Sequence, residues 1–307
     1  MTQPKICVVG ASNLDLISYV SRLPRMGETL HGTRFHMGYG GKGANQAVMA
    51  AKLGGDVAIV TKLGQDIFGE NTLKNFQEWG IDTHHALFTD QAFSGVAPIA
   101  VDPAGHNTII IVTGANDLLT EAEIEAARPV IAAAQIVVCQ LEIPLETTLA
   151  ALRLARQEGV KTIFNPAPAR ASLPEELYRL SDIFCPNESE TELLVGQPVG
   201  TVAEAETAAR LLLERGTGQV TLTLGERGSL LVTAAETIHV PAPSVKATDS
   251  TGAGDAFVGS LAYFLAAGQD LTESMRRANH IAAISVQFSG TQTSFPVAAD
   301  LPAELLS

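Results

Sequence analysis

The sequence predicts an α/β fold: a doubly wound, mostly parallel sheet with helices on both faces, plus a small β-sheet lid. Three observations carry this. Runs rich in Val and Ile alternate with longer helical patterns, which is the signature of βαβ units. Most of these runs are apolar without alternation, as strands covered on both faces should be. Two other stretches, Leu14 to Met37 and Ser94 to Thr113, do alternate, which marks antiparallel hairpins standing off the main sheet.

Taken in order, the strands are ICVVG, VAIVT, IVVCQLE, TIFNPA, DIFCPNE, VTLTLG and SLLVT. Helices are predicted from Gly43 (GANQAVMAAKLG), Thr120 (TEAEIEAARPVIAAA), Pro144 (PLETTLAALRLARQEG), Thr201 (TVAEAETAARLLLERG) and Gly254 (GDAFVGSLAYFLAAG). Thr120 with Glu123, and Thr201 with Glu204, have capping-box spacing, while Gly159, Gly216 and Gly268 stand where helices should stop. The segments SGVAPIAV and NTIIIVTG flank the turn-rich DPAGH, so the two hairpin regions can pair into one lid over about 14–39 and 94–113. His84 and His85 are expected in a loop, with no metal-ligand spacing around them. No repeat or linker interrupts the pattern, which predicts a single domain over 1–307.

Composition excludes several classes of function. A hydrophobic content of 46% with 17% charged residues describes a globular chain. The net charge of −13 argues against a nucleic-acid surface, which needs a basic stripe to displace counterions. The start, MTQPKICVVG, lacks the features of a signal peptide, and no apolar run is long enough to cross a bilayer, so a cytoplasmic protein with no membrane partner is expected. Cys7, Cys139 and Cys185 lie far apart in strand-like runs and are expected as core thiols.

Candidate chemistry gathers at the strand ends. Glu142, Asn165, Asn187, Glu190, Thr223 and Gly225 all follow predicted strands, and ligands of open parallel sheets bind outside the carboxyl ends of strands, which predicts one shared cleft unless these residues simply begin loops. GYGGKGAN contains G-x-G-x-x-G, but the next strand ends on Lys62 rather than an acid, and Lys42 is followed by Gly43 rather than Ser or Thr, so neither a dinucleotide fingerprint nor a Walker A loop fits. There remain a tight turn, or glycines (Gly40, Gly41, Gly43) that admit a small polar ligand to the backbone, with Asn45 donating and accepting. Asn13 and Asp15 point the same way on an extended segment and suit vicinal hydroxyls, or else begin a turn. In NESE, Asn187 and Glu190 form a capping box or, functionally, hold waters of a Mg²⁺ ion. Finally, Gly252, Ala253 and Gly254 in a first helical turn would leave N–H groups free for an anionic oxygen. Asp255 behind them is either a base toward an attacking hydroxyl or merely an acid favoured by the helix dipole.

GGKGANQA, NPAPA, PNESE, TLGERG and DSTGAGDAF occur in the order and at the spacings of the ribokinase-type carbohydrate kinase family, and this resemblance runs over essentially the whole chain. It implies transfer of the ATP γ-phosphoryl group to a sugar hydroxymethyl group, the 5-hydroxyl of D-ribose in the first instance. SNLDLISYV and DIFGEN also resemble the branch that acts on 2-deoxyribose, and a non-catalytic sugar or nucleotide sensor of the same fold is the alternative from another class; a nucleoside or ketohexose kinase ranks behind these. By the same resemblance, Asp255 is the catalytic base and Gly252, Ala253 and Gly254 the anion hole. Asn13, Asp15, Gly41, Lys42, Gly43, Asn45 and Glu142, with Asp255, fall to the sugar side. Asn187, Glu190, Thr223, Gly225, Gly228, Gly254 and Asn279 fall to the ATP and Mg²⁺ side. Asp249, Thr251, Ser285, Phe288, Gly290 and Ser294 correspond to a K⁺ site, several through carbonyl oxygens, and the lid implies a homodimer.

Overall fold

The computed structural model describes residues 3–306; the expected domain bounds at 1 and 307 lie outside the described residues. A nine-stranded sheet forms the centre, built from β1 (Lys5–Val9), β4 (Asp56–Gly64), β5 (Asp82–Thr89), β8 (Ile136–Cys139), β9 (Lys161–Phe164), β10 (Ile183–Phe184), β11 (Gln219–Thr223), β12 (Ser229–Val232) and β13 (Thr237–Val240). Its order is β13-β12-β11-β10-β9-β8-β1-β4-β5, parallel except for the β11–β12 and β12–β13 pairs. The other four strands, β2 (Asn13–Tyr19), β3 (Arg34–Gly40), β6 (Gly95–Val101) and β7 (Asn107–Ile109), form a separate sheet of order β3-β2-β6-β7. Its two antiparallel hairpins join through the parallel β2–β6 pair, as the two alternating stretches predict.

Alternate residues of β1 feed opposite layers of the core. Ile6 and Val8 pack under α1 (Lys42–Lys52), α9 (Ala253–Ala266) and α10 (Leu271–Ser285), through Ala47, Phe257 and Met275 among others. Cys7 and Val9 face α5 (Leu145–Gln157) and α8 (Val202–Glu214), through Leu152 and Leu212. All three cysteines are free and buried, as expected. The chain leaves β1 for β4 on one side and later returns to β8 on the other, so a topological switch point falls at the carboxyl ends of β1 and β8.

Several local expectations need correction. The helix predicted from Thr120 is two short helices, α3 (Glu121–Ala126) and α4 (Arg128–Ala133), because Pro129 has no N–H to continue the first and starts the second instead. His84 and His85 lie on the edge strand β5, not in a loop; its mixture of exposed and half-buried positions hides the strand among polar residues. Helices α2 (Ile67–Glu78), α6 (Glu175–Arg179), α10 and α11 (Ala303–Leu306), and strand β13, are additional to the sequence-based elements, while α7 (Glu188–Val195) starts at the capping box that NESE allows. For α10 the signal was present: Asp270 caps the Glu273 N–H, and Leu271, Met275, Ala278 and Ile281 keep helical spacing. Both expected capping boxes form, and Gly159, Gly216 and Gly268 take positive φ just past their helices.

Candidate active site

The site lies along the carboxyl ends of the strands, to one side of the switch point. A cavity of about 150 Å³ is lined by Lys42, Asn165, Ala167, Cys185, Asn187, Glu190, Thr223, Gly252, Gly254, Asp255 and Val258. It therefore brings together α1, the ends of β9, β10 and β11, and the start of α9. Gly252 is the N-cap of α9, at φ 77°, rather than part of its first turn, and no side chain caps the helix. The Ala253 N–H makes a long turn contact to Ser250 O at 3.2 Å. A Cβ on Gly254 would meet nothing within 4 Å, so that face of the helix terminus is open to a ligand.

Asp255 is 7% exposed and accepts two amide hydrogen bonds, Oδ2 from Asn45 Nδ2 at 2.8 Å and Oδ1 from Gln46 Nε2 at 2.9 Å. Both donors sit on α1, and Gly259 lets that helix come close: a Cβ there would lie 2.6 Å from Gln46 O. Asn45 in turn accepts from Gln292 Nε2 at 3.0 Å, and Gln292 from Asn75 Nδ2 at 2.9 Å. Asn45 is thus bound to Asp255 as well as being a candidate for sugar. Gln46, Gln140 and Gln292 carry no sequence signal, because a glutamine in a helix, at a strand end or in a turn forms no motif by itself.

Around Asp255 the charge is strongly negative. Burial raises the Glu142 and Glu190 carboxyls, although Lys42 opposes this in both. Burial pulls the Lys42 ammonium down, but Asp255, Glu142 and Glu190 outweigh it and hold the group above its ordinary value. Asp15 is pushed up to about 7, first by burial and then by Glu142 and Asp255. Four carboxylates sharing one ammonium favour arrival of a cation-bearing ligand.

Asn13 and Asp15 share one face of β2, as their spacing predicts. Asn13 Oδ1 accepts from the buried Asn116 Nδ2 at 2.9 Å, which turns its own N–H₂ toward donation. Asn116 also bonds Ser12 and Thr113, tying the roots of both hairpins to the main sheet. Gly40 leaves room for the Asp15 carboxylate. Gly41 and Gly43 also have a packing reason to be small. A Cβ on either would lie 2.7 Å from main-chain atoms of Gly10 or Asn13, so both serve close packing of the α1 start on the strand. Glu142 Oε2 accepts the Lys42 backbone N–H at 2.7 Å.

On the opposite side, Asn187 and Glu190 form the capping box of α7, and Glu190 still lines the cavity. Thr223 bridges to Asn187, and Gly225 begins the following turn. Gly228 and Asn279 do not line the cavity. Main chain of Val240 to Ala242 fills the space beside Gly228, and the Asn279 amide donates to Ser229 Oγ and Val240 O at 3.0 and 2.9 Å. Asp249 draws two loops together, accepting from Thr251 N at 3.0 Å and Gly290 N at 2.9 Å. Of its companions, the Ser285 carbonyl accepts from Phe288 N at 3.1 Å, and Ser294 donates Oγ–H to Thr291 O at 2.8 Å; Phe288 is exposed. Among the described residues, no cluster of three His, Cys, Asp or Glu could hold a metal by itself.

A sheet of this order, with an open helix N-terminus and a buried aspartate at the strand ends, is a doubly wound α/β scaffold with its cleft where such folds bind ligands. The pfkB family carbohydrate kinase model matches residues 3–298; the chain belongs to that family and is an ATP-dependent sugar kinase. It is 48% identical over 304 residues to the ribokinase of Mus musculus, covering 98% of this chain and 94% of the relative. It is 42% identical over 291 residues to the deoxyribokinase of Salmonella typhi, covering 95% of each. The solved ribokinase of Arabidopsis thaliana, complexed with ribose and ATP, superposes with a TM-score of 0.91 at 30% identity and covers 99% of both chains.

Proposed function

We propose that the protein transfers the γ-phosphoryl group of ATP to the 5-hydroxyl of D-ribose. The observation that carries this reading is the buried Asp255 carboxylate, held by two amides beside the open face of Gly254 at a helix N-terminus. In this reading Asp255 accepts the hydroxyl proton as the phosphoryl group arrives, while the α9 dipole and the N–H groups at Gly252–Gly254 stabilise the transferring oxygens. Asn13 donates to ring hydroxyls and Asp15 accepts from them, with Asn45, Glu142 and the Gly41–Lys42–Gly43 turn completing the sugar side. The Lys42 ammonium offsets phosphoryl charge. Asn187, Thr223, Gly225 and Glu190 border the nucleotide, with Gly228 and Asn279 supporting its wall.

Glu190 has an oxygen-only chemistry that fits Mg²⁺ waters, and the excess of carboxylates favours such an ion; bound there, Mg²⁺ would neutralise phosphate charge. Asp249, Thr251 and the carbonyls of Ser285, Phe288, Gly290 and Ser294 offer the hard oxygen donors that K⁺ takes. Exchange of K⁺ for Na⁺ at constant ionic strength should lower activity if those loops need the ion. The small sheet acts as the lid, over about 14–39 and 94–113, with Asn13 and Asp15 closing on sugar. Its outer face exposes Phe35, Met37, Ile110 and Val112, which supports a homodimer through the lid. A cytoplasmic location belongs to the same reading; among the described residues no helix is long and apolar enough to cross a membrane.

The 42% identical deoxyribokinase favours a second reading, 2-deoxyribose as substrate. Release of ADP, measured over a panel of pentoses, hexoses and nucleosides, separates the two. Ribose should exceed 2-deoxyribose in kcat/KM by about tenfold, the effect of one unpaired polar group. The reverse order moves the protein to the second reading, and no turnover with any of them would overturn both in favour of a sensor.

A further inference from the structure

Gln46 and Gln140 are both completely buried; the proposed function uses Gln46 only as one of the two amides on Asp255 and gives Gln140 no part. Gln46 Nε2 reaches Asp255 Oδ1 at 2.9 Å and Asn165 Oδ1 at 3.2 Å. Behind it, Gln140 Nε2 donates to Gln46 Oε1 at 2.6 Å. Gln140 Oε1 is then left against Gly10, with no hydrogen-bond partner.

The orientations in this chain are forced, one by the next. An ionised carboxylate only accepts, so Gln46 must turn its N–H₂ to Asp255. Its carbonyl then faces Gln140 and can only accept, so Gln140 must turn its own N–H₂ forward. The last carbonyl is left over, and burying it unpaired lowers stability. At 140 alone an apolar residue would only move the orphan to Gln46 Oε1; apolar residues at both 46 and 140 would remove it. The other arm differs: Asn75, Gln292 and Asn45 reach Asp255 Oδ2 through amides whose donors and acceptors pair in turn.

We propose that Gln46 and Gln140 are positioning residues, an amide relay that fixes the plane of the Asp255 carboxylate so that its remaining lone pairs face the cavity. Gln46 holds one oxygen as Asn45 holds the other, and Gln140 prevents Gln46 from turning its amide over. This rests on Asp255 being the base. The orphaned carbonyl is the stability given up for that alignment, in the way functional sites retain locally unfavourable groups.

The test uses the full chain with ATP and D-ribose, and 2-deoxyribose in parallel, comparing Gln46→Met, Gln140→Met and the double variant. Gln46→Met should lower kcat on the order of tenfold or more, as misplacement of a reacting group does, with KM for sugar and ATP within about twofold. Gln140→Met should lower kcat at temperatures where the variant is fully folded. Since Gln140 acts through Gln46, the double variant should be no slower than Gln46→Met alone. Full kcat in a folded Gln46→Met protein, multiplying losses in the double variant, or kcat losses that follow the melting temperature would each overturn the relay. Asp255→Asn is the control: if it retains normal turnover, the base assignment fails and takes the relay with it, whereas an inactive Asp255→Asn beside an unimpaired Gln46→Met overturns the relay alone.

Discussion

The two sheets place opposite demands on their residues. In the nine-stranded sheet, β8 and β12 are buried at every position, with helices on both faces. In the four-stranded sheet, β7 is exposed throughout and β3 is buried only at Gly40. The groups whose geometry cannot vary, Asp255 with Asn45, Gln46 and Glu190, hang on the rim of the first. Asn13 and Asp15, which in the proposed function admit a sugar and then close on it, begin the second. Close packing fixes a side chain to within a fraction of an ångström, while a thin sheet held at its roots can move as a unit. The division of labour follows from packing.

The sharpest way to test this contrast is Asp255→Asn, on the rigid side. It keeps the side-chain volume and should leave folding and sugar binding intact while lowering kcat about 10²-fold or more, as removal of a general base does; steady-state rates beside equilibrium sugar titration check it. Gly259→Ala attacks the packing instead. A methyl group 2.6 Å from Gln46 O has to push α1 away from α9, at a cost of about 1–3 kcal/mol in stability. Denaturant melts with parallel rate measurements would show stability and kcat falling together, since the Asn45 and Gln46 amides retreat with the helix.

On the thin sheet the expected effects are gentler and depend on pH. Asp15, pushed up to about 7, loses its charge in a range where ordinary carboxylates keep theirs, so sugar KM should rise as pH falls below about 7. The stability of the sugar-free protein moves the other way. A carboxyl raised by folding contributes stability below its unfolded value, and that contribution is lost as pH rises through about 7. Asp15→Asn should flatten both profiles and weaken ribose binding by roughly tenfold, from about 1–3 kcal/mol of lost hydrogen bonding. Replacing Phe35 and Met37 together by Ser should change monomer stability least, within about 0.5 kcal/mol for exposed positions, while abolishing any dimer seen by sedimentation.

Legibility in the sequence followed the range of the interaction. The parallel strands, the capping boxes at Thr120 and Thr201 and the helix stops were readable, because each depends on residues within one turn or one strand. The hairpin regions were readable too, since an alternating pattern next to unbroken apolar runs can only mean a face left open. Where a local competitor was strong the reading failed: Pro129 divided a helix whose apolar spacing was continuous, and His84 and His85 concealed an edge strand. Gly41 and Gly43 have a packing reason that the sequence does not show: a Cβ on either would collide with the main chain of the first strand's end.

By itself, the sequence determined the layered α/β architecture, the small second sheet and the position of an aspartate at the start of a helix, all of which rest on periodicity and short spacings. Only the tertiary structure decided what that aspartate touches. Asn45 and Gln46 meet it across 210 and 209 residues of chain, Gln140 stands behind Gln46 across 94, and Gln292 backs Asn45 across 247. No pattern along the chain encodes such contacts, because an amide is polar wherever it stands and becomes a clamp only when packing removes water and leaves it one partner.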